Sequence, residues 1–363
     1  MFNGVVDLFS KLVQNDFGFF GRIDSVADVM SATVHRVTLD DTHKDVAAIF
    51  RDRDINHLAV VADDGEVVGI ISDRDLLRHK PPFLGTAAEA DEDQPVLSDS
   101  TASFMSRKPH SIAQSDSAAQ AVSLMIKHHV DALLVHDEKN ELCGIVTTRD
   151  IVKLVLLFHQ VCSQGPELER LRLVDLDVGN ELPVDMIFSR CTRSARDVMC
   201  KKVRTLSKRD NLKTAIELIK RHGVRHIPIV DDANVVQGLI SDREILARLP
   251  SRIPPRARET MTDFREALFC ISDSDEKVLR EGLEAVMNTH PRVVTPESAF
   301  VSTIESFLSP STSCVLAVDG ENRVCGILTT FDVLRVFRNA LEMALIQRTA
   351  QREPERIPAE SVS

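Results

Sequence analysis

Gly238-Leu239-Ile240-Ser241-Asp242-Arg243-Glu244 is one of four copies of a single pattern: glycine, two apolar residues, a hydroxyl residue, two variable residues and an acid. The other copies are Gly69-Ile70-Ile71-Ser72-Asp73-Arg74-Asp75, Gly144-Ile145-Val146-Thr147-Thr148-Arg149-Asp150 and Gly326-Ile327-Leu328-Thr329-Thr330-Phe331-Asp332. A methionine (Met30, Met105, Met199 or Met287) stands 39 residues before each glycine. Self-similarity at a fixed spacing marks a repeat architecture, and it decides how the surrounding chain is read.

The same elements recur around each copy. A short strand comes first, at Val37-Thr38, Ile112-Ala113, Leu206-Ser207 and Val294-Thr295. A helix follows, its inner face marked by Ala47 and Phe50, Val122 and Met125, Ile216 and Ile219, and Ile304 and Phe307, a three-residue step that fits a buried helical stripe. Next comes an apolar run such as Leu58-Ala59-Val60-Val61 or Ile227-Pro228-Ile229-Val230. Each run ends in an acidic turn, as at Asp63-Asp64-Gly65 and Asp231-Asp232-Ala233-Asn234, the local chemistry of a β-hairpin. The motif glycine then lies on the second hairpin strand, and the motif acid opens another helix. The predicted order is strand, helix, strand, strand, helix, an α/β (α+β) fold class.

A unit this small cannot cover its own apolar face, so it should pair with a neighbour. Copies one and three carry Ser-Asp-Arg-acid and soon meet Pro81-Pro82 or Pro250; copies two and four carry Thr-Thr-x-Asp and continue into long helices at 151–161 and 333–349. Odd resembles odd and even resembles even, which makes the chain a duplicated pair. The expected layout is an N-terminal extension at 1–24, repeat one at 25–80 and repeat two at 102–161. An inter-module linker at 162–194 leads to repeat three at 195–249. A linker with short helices at 250–282 leads to repeat four with its long helix at 283–350, and 351–363 is a polar tail. The segment before repeat two holds the acidic run Glu89 to Glu92, and short helices are expected at 167–173, 260–267 and 276–282.

Hydrophobic residues make up 43% and charged residues 27% of the 363, the balance of a globular protein. A formal net charge of −11 argues against a general nucleic-acid or anionic-membrane surface, so any phosphate site must be local. Seven cysteines form no C-x-x-C pair; reduced thiols are the simplest account, with Cys143 and Cys325 expected as buried strand residues. No run approaches the length a membrane span needs, and the chain reads as cytoplasmic. Neither a P-loop nor G-x-G-x-x-G, H-E-x-x-H or a serine hydrolase elbow is present, so no catalytic residue and no metal ligand is assigned.

With its element order repeated four times, each copy ending in the same motif, the chain resembles proteins with four CBS (cystathionine β-synthase) motifs arranged as two tandem Bateman modules. The layout is similar to that of the gamma subunit of AMP-activated protein kinase. The resemblance implies clefts between paired motifs that bind adenosine-containing ligands, AMP, ADP or ATP, or alternatively S-adenosylmethionine or a cyclic dinucleotide. It further implies a regulatory, energy-sensing role exerted on an unknown partner protein, and two modules that close into a pseudo-symmetric disk. Self-association into a homodimer, or packing through helix 333–349, is an alternative use of that surface.

The residues support a nucleotide independently. Ser72, Thr147, Ser241 and Thr329 sit where helices begin, among free backbone N–H groups that suit phosphate. Three residues on, Asp75, Asp150, Glu244 and Asp332 can accept two hydrogen bonds, matching ribose hydroxyls. Arg74, Arg149 and Arg243 carry forks suited to phosphate oxygens, and the resemblance adds Arg225 and His226, which enter a buried strand beside the motif. The same Ser/Thr-x-x-acid pattern is also a helix capping box. Glu244 departs from the family aspartate, and Phe331 replaces the arginine of repeat four, which is expected to be a structural copy. One or two occupied clefts are expected. The alternatives are a scaffold with empty clefts and an enzyme with an unrecognised site in 251–282.

Overall fold

The computed structural model describes residues 25–79, 97–164, 192–249, 276–309 and 311–352. The expectations for 1–24, the acidic run Glu89 to Glu92, helices 167–173 and 260–267, and the polar tail beyond 352 lie outside the described residues.

All four repeats have the predicted order. Repeat one is β1 (Arg36–Thr38), α1 (His43–Arg53), β2 (His57–Val61), β3 (Val67–Ser72) and α2 (Asp73–His79). Repeat two is β4 (Ser111–Ala113), α3 (Ala118–His128), β5 (Ala132–His136), β6 (Leu142–Thr147) and α4 (Thr148–Gln164). Repeat three is β7 (Leu206–Ser207), α5 (Leu212–His222), β8 (His226–Val230), β9 (Val236–Ser241) and α6 (Asp242–Arg248). Repeat four is β10 (Val293–Val294), α7 (Phe300–Glu305), β11 (Cys314–Val318), β12 (Val324–Thr329) and α8 (Thr330–Arg352). In each three-stranded sheet the first strand runs parallel to the second and the second antiparallel to the third. Between repeats three and four, a short turn of helix at Glu276–Leu279 covers part of the expected 276–282.

Local chemistry explains the boundaries. Thr42, Ser117 and Asn211 cap α1, α3 and α5, each accepting a backbone N–H three residues on. The same helices end at Asp54, His129 and Gly223, all in the left-handed conformation that stops a helix. Helix α7 has no side-chain cap at Ala299 and passes into a tighter turn at Ser306–Leu308, where the predicted inner-face residue Phe307 is buried. The hairpin turns place Gly65, Asn140, Asn234 or Asn322 at positive φ, residues that tolerate it. In α1 the buried residues are His43, Val46 and Phe50, and the predicted Ala47 is half-buried, because the stripe follows the four-residue step there. Cys143 and Cys325 do lie on strands but are half-buried, whereas Cys314 is buried. Thr295 falls one residue beyond β10, and α8 begins three residues before the expected Val333.

Within each module the repeats clasp one another. The segment after Met30 bridges Ile145, and Ile70 bridges Ser106; Cys200 bridges Ile327, and Leu239 bridges Asn288. Each motif methionine therefore meets the glycine of its partner repeat, not its own. A Cβ on Gly69 would stand 2.7 Å from Met105 Sδ, and on Gly238 2.7 Å from Met287 Sδ. Apolar strand residues fill the space between sheets, Ala59, Ala132, Leu134 and Ile145 in one module and Leu239, Cys314, Leu316 and Val318 in the other.

Between modules, like faces like. Helices α2 and α6 pack together, and Leu77 reaches the core of repeat three. Repeats two and four share a single core, in which Met125, Phe158, Phe300 and Phe337 are fully buried. The apolar face of α8 (Val333, Leu334, Phe337, Ala340, Leu341) is buried there, against α3 and α4, so that face is spent within the chain and is not free for self-association. The result is a pseudo-symmetric disk of four units.

Candidate ligand clefts

The four motif acids act first on their own helices. One oxygen of Asp75 accepts from Ser72 N at 2.7 Å and Ser72 Oγ at 2.6 Å. Asp150 does the same for Thr147 (2.9 and 2.6 Å), Glu244 for Ser241 (2.7 and 2.5 Å) and Asp332 for Thr329 (2.8 and 2.7 Å). The capping-box expectation and the ligand expectation thus fall on different oxygens. The second oxygen of Asp150 meets Lys153 Nζ at 3.4 Å, that of Asp75 meets Arg78 Nη1 at 3.5 Å, and that of Asp332 meets Arg335 Nη1 at 2.8 Å. A cation three residues after the acid recurs in three repeats, a regularity the sequence reading missed.

Module one holds two clefts related by its internal symmetry. The wide one has a volume of about 560 Å³ and brings Thr147, Arg149, Asp150 and Lys153 of repeat two against Thr33, His35 and Arg53 of repeat one. Arg243, Thr312 and Ser313 of module two complete its wall. The narrow one, about 120 Å³, brings Ser72, Asp75 and Arg78 of repeat one against Lys108, His110, His128 and His129 of repeat two. Ser241, Glu244, Thr329 and Asp332 occupy the matching positions in module two.

The motif arginines go elsewhere. Arg74 Nε donates to Asp242 Oδ2 at 2.7 Å and its Nη1 to Asp131 Oδ2 at 2.7 Å; Arg243 Nε returns the exchange, donating to Asp73 Oδ2 at 2.8 Å. Asp-Arg of repeat one and Asp-Arg of repeat three are therefore paired reciprocally across the module boundary. Arg225 Nη1 also reaches Asp131 Oδ2, at 3.1 Å, and its guanidinium lies over the Phe331 ring. Arg149 instead donates to the carbonyl of Asp54 at 3.0 Å. His226 Nε2 and Ser313 Oγ are 2.8 Å apart.

Burial sets the protonation of this centre. Burial alone would raise the carboxyls of Asp131 and Asp242, but Arg74 and Arg225 hold both well below the usual carboxylate range. Burial works against the Arg74 guanidinium too, and Asp242 and Asp131 keep it charged. For His226 burial wins, pushing its pKa down to about 4, and His57 is lowered for the same reason. The cluster is a set of fixed charges around two neutral imidazoles.

The CBS domain family matches residues 26–81, 101–157, 195–251 and 283–339, more than half of the chain. The chain belongs to the CBS domain family. A CBS domain-containing protein of Dictyostelium discoideum is 33% identical over 132 residues, 36% of this chain and 90% of that protein. Inosine-5'-monophosphate dehydrogenase of Nitrosopumilus maritimus (strain SCM1) is 27% identical over 143 residues, 39% of this chain but 23% of the enzyme. This chain thus corresponds to under a quarter of that enzyme's length. In fold it is similar to protein MJ1225 of Methanocaldococcus jannaschii, described as a candidate archaeal homolog of g-AMPK, with a TM-score of 0.55, 16% identity and coverage of 86% of this chain and 99% of that one. Four CBS repeats in two Bateman modules are the shared architecture. Among the described residues, no helix is long and apolar enough to cross a membrane and no cluster of metal-ligating side chains occurs.

Proposed function

We propose that this chain is a non-enzymatic sensor that takes an adenosine-type nucleotide, AMP, ADP or ATP, in the wide cleft of module one and transmits its presence to a partner protein. The wide cleft itself carries the proposal. Its volume lies within the range typical of small-molecule sites, roughly 300–1,000 Å³. The outer oxygen of Asp150 is available to ribose hydroxyls, and Arg53, Arg149 and Lys153 supply phosphate partners. Five cations (Arg53, Arg74, Arg149, Lys153, Arg243) against four carboxylates (Asp54, Asp73, Asp131, Asp150) leave the lining suited to an anion.

Transmission follows from the second wall. A ligand shifts a conformational equilibrium by as much as its affinity differs between the states, and here residues of both modules bound the same space. Occupancy is then felt at the disk's module boundary, where a partner reads it.

A thermal-shift and calorimetric titration with AMP, ADP, ATP, S-adenosylmethionine and cyclic dinucleotides tests this. Ligand at about 100 times its Kd should add about 2.7 kcal/mol of stability, lost in Asp150→Ala and kept in Asp332→Ala. Absence of any response would favour a scaffold with empty clefts, a reading supported by capping boxes that are complete without ligand.

A further inference from the structure

We propose that the narrow cleft of module one binds a tetrahedral oxyanion of the phosphate class, as a free ion or the head of a small monoester, and excludes nucleosides. The two clefts of module one correspond at a constant shift of 75 residues, yet their linings diverge at several places, Asn56 answering Asp131 and His57 answering Ala132 among them. Where the wide cleft has Thr33, Arg53 and Asp54, the narrow one has Lys108, His128 and His129. The His110 and His128 rings stack with centroids 4.3 Å apart, drawing the segment before β4 onto the end of α3. His35 and Arg53 hold the equivalent positions in the wide cleft.

Size and charge agree. At about 120 Å³ the cavity is far smaller than the wide cleft's 560 Å³ and falls well short of the roughly 300 Å³ at which ligand-sized sites begin. Arg74, Arg78, Lys108 and Arg225 line it against Asp75 and Asp131. Even with Asp242 counted behind Arg74 and Arg225, one positive charge is left over before any imidazole is protonated. Lys108 stands exposed at the rim, and Arg78 makes a long contact of 3.5 Å to Asp75, so both can turn to an anion.

The imidazoles couple the site to pH. His57, His110, His128 and His129 all face the cavity, and His110 is held below its ordinary range by burial and by His128. An oxyanion beside His110 favours its protonated ring, which then donates from both nitrogens. Binding should take up protons and tighten as pH falls.

Sulfate is the probe of choice because its charge does not change between about pH 6 and about pH 8, unlike that of phosphate. Calorimetry on the full chain should find one sulfate site, about tenfold tighter at the lower pH, with phosphate and methyl phosphate competing for it. Lys108→Ala, at an exposed position, should weaken sulfate about tenfold, the worth of one charge-assisted hydrogen bond, and His110→Leu should flatten the pH dependence. Both variants should retain nucleotide binding in the wide cleft. No sulfate binding at millimolar concentrations, binding indifferent to Lys108→Ala, or a nucleotide displacing sulfate from this cleft would overturn the proposal. The first two outcomes leave the nucleotide reading of the wide cleft standing, so the two fail separately.

Discussion

Asp131 and Arg225 stand at the same place in repeats two and three, thirteen residues before the motif glycine, as do Asn56 and Ser313 in the other two. Opposite charges at equivalent positions of a repeat that closes on itself are a legible hint of pairing, and the structure pairs them at 3.1 Å. His226, next in sequence to Arg225, is the residue whose ionisation this centre changes most plainly. Its folded pKa of about 4 lies below the ordinary histidine value, so between about pH 6.5 and pH 4 the unfolded chain binds a proton that the native chain does not. Stability therefore falls as pH drops through that window, by about 2 kcal/mol between pH 7 and pH 5. His57, lowered in the same direction by burial, adds to the slope. His226→Gln keeps an amide donor for Ser313 and removes the titration. Urea denaturation at the two pH values should show a distinctly flatter profile for the variant; an unchanged slope would mean that His226 is not the titrating group.

Element order was legible because each repeat states it again, and because capping residues such as Thr42 and Ser117 mark helix starts locally. What the sequence conceals is which repeat a residue serves. Met105 and Gly144 lie in one repeat at the constant spacing, yet Met105 rests on Gly69 and Gly144 on Met30. The spacing reflects symmetry: two elements exchange, so every clasp repeats the same interval. The clasps differ in what an added methyl would meet. At Gly238 a Cβ would meet Met287 Sδ at 2.7 Å and also the Asn288 carbonyl oxygen at 2.9 Å, and that backbone is fixed by two hydrogen bonds to Leu239. At Gly326 the nearest atoms are Met199 Sδ at 2.5 Å and Cγ at 2.9 Å, with the Cys200 carbonyl oxygen farther off at 3.3 Å. Gly238→Ala and Gly326→Ala should each destabilise by about 1–3 kcal/mol. Trimming the methionine should relieve most of the second but only part of the first, where the backbone clash stays. In double-mutant cycles by chemical denaturation, Met199→Ala with Gly326→Ala should show a favourable coupling of about 1 kcal/mol or more, and Met287→Ala with Gly238→Ala a distinctly smaller one. Equal couplings would show that the backbone contact is not what limits Gly238.

At the scale of the whole molecule, the disk is held by apolar packing on one side and by charge on the other. Repeats two and four share a core around Phe158, Phe300 and Phe337, whereas repeats one and three meet through α2, α6 and the reciprocal Asp-Arg exchange. The Ser-Asp-Arg signature common to odd repeats was legible; its purpose was not, since partners 168 and 170 residues apart leave no local trace. The two halves of the exchange are unequally buried. Side chains of Arg74 and Asp242 are 7% and 1% exposed, those of Arg243 and Asp73 18% and 25%. Removing one partner of a buried pair strands the other, at a cost of about 3–5 kcal/mol, while a partly solvated pair costs about 1 kcal/mol or less to break. Arg74→Ala leaves both Asp131 and Asp242 short of a cation, and Arg74→Met, which restores volume, should rescue little because the stranded charges remain. Arg243→Ala should be mild. Hydrogen exchange should then rise together in α2 and α6 of Arg74→Ala while the shared core of repeats two and four stays protected. If Arg74→Ala costs no more than Arg243→Ala, or if exchange rises in all four repeats alike, the charged side is not a separable joint and the disk opens as one unit.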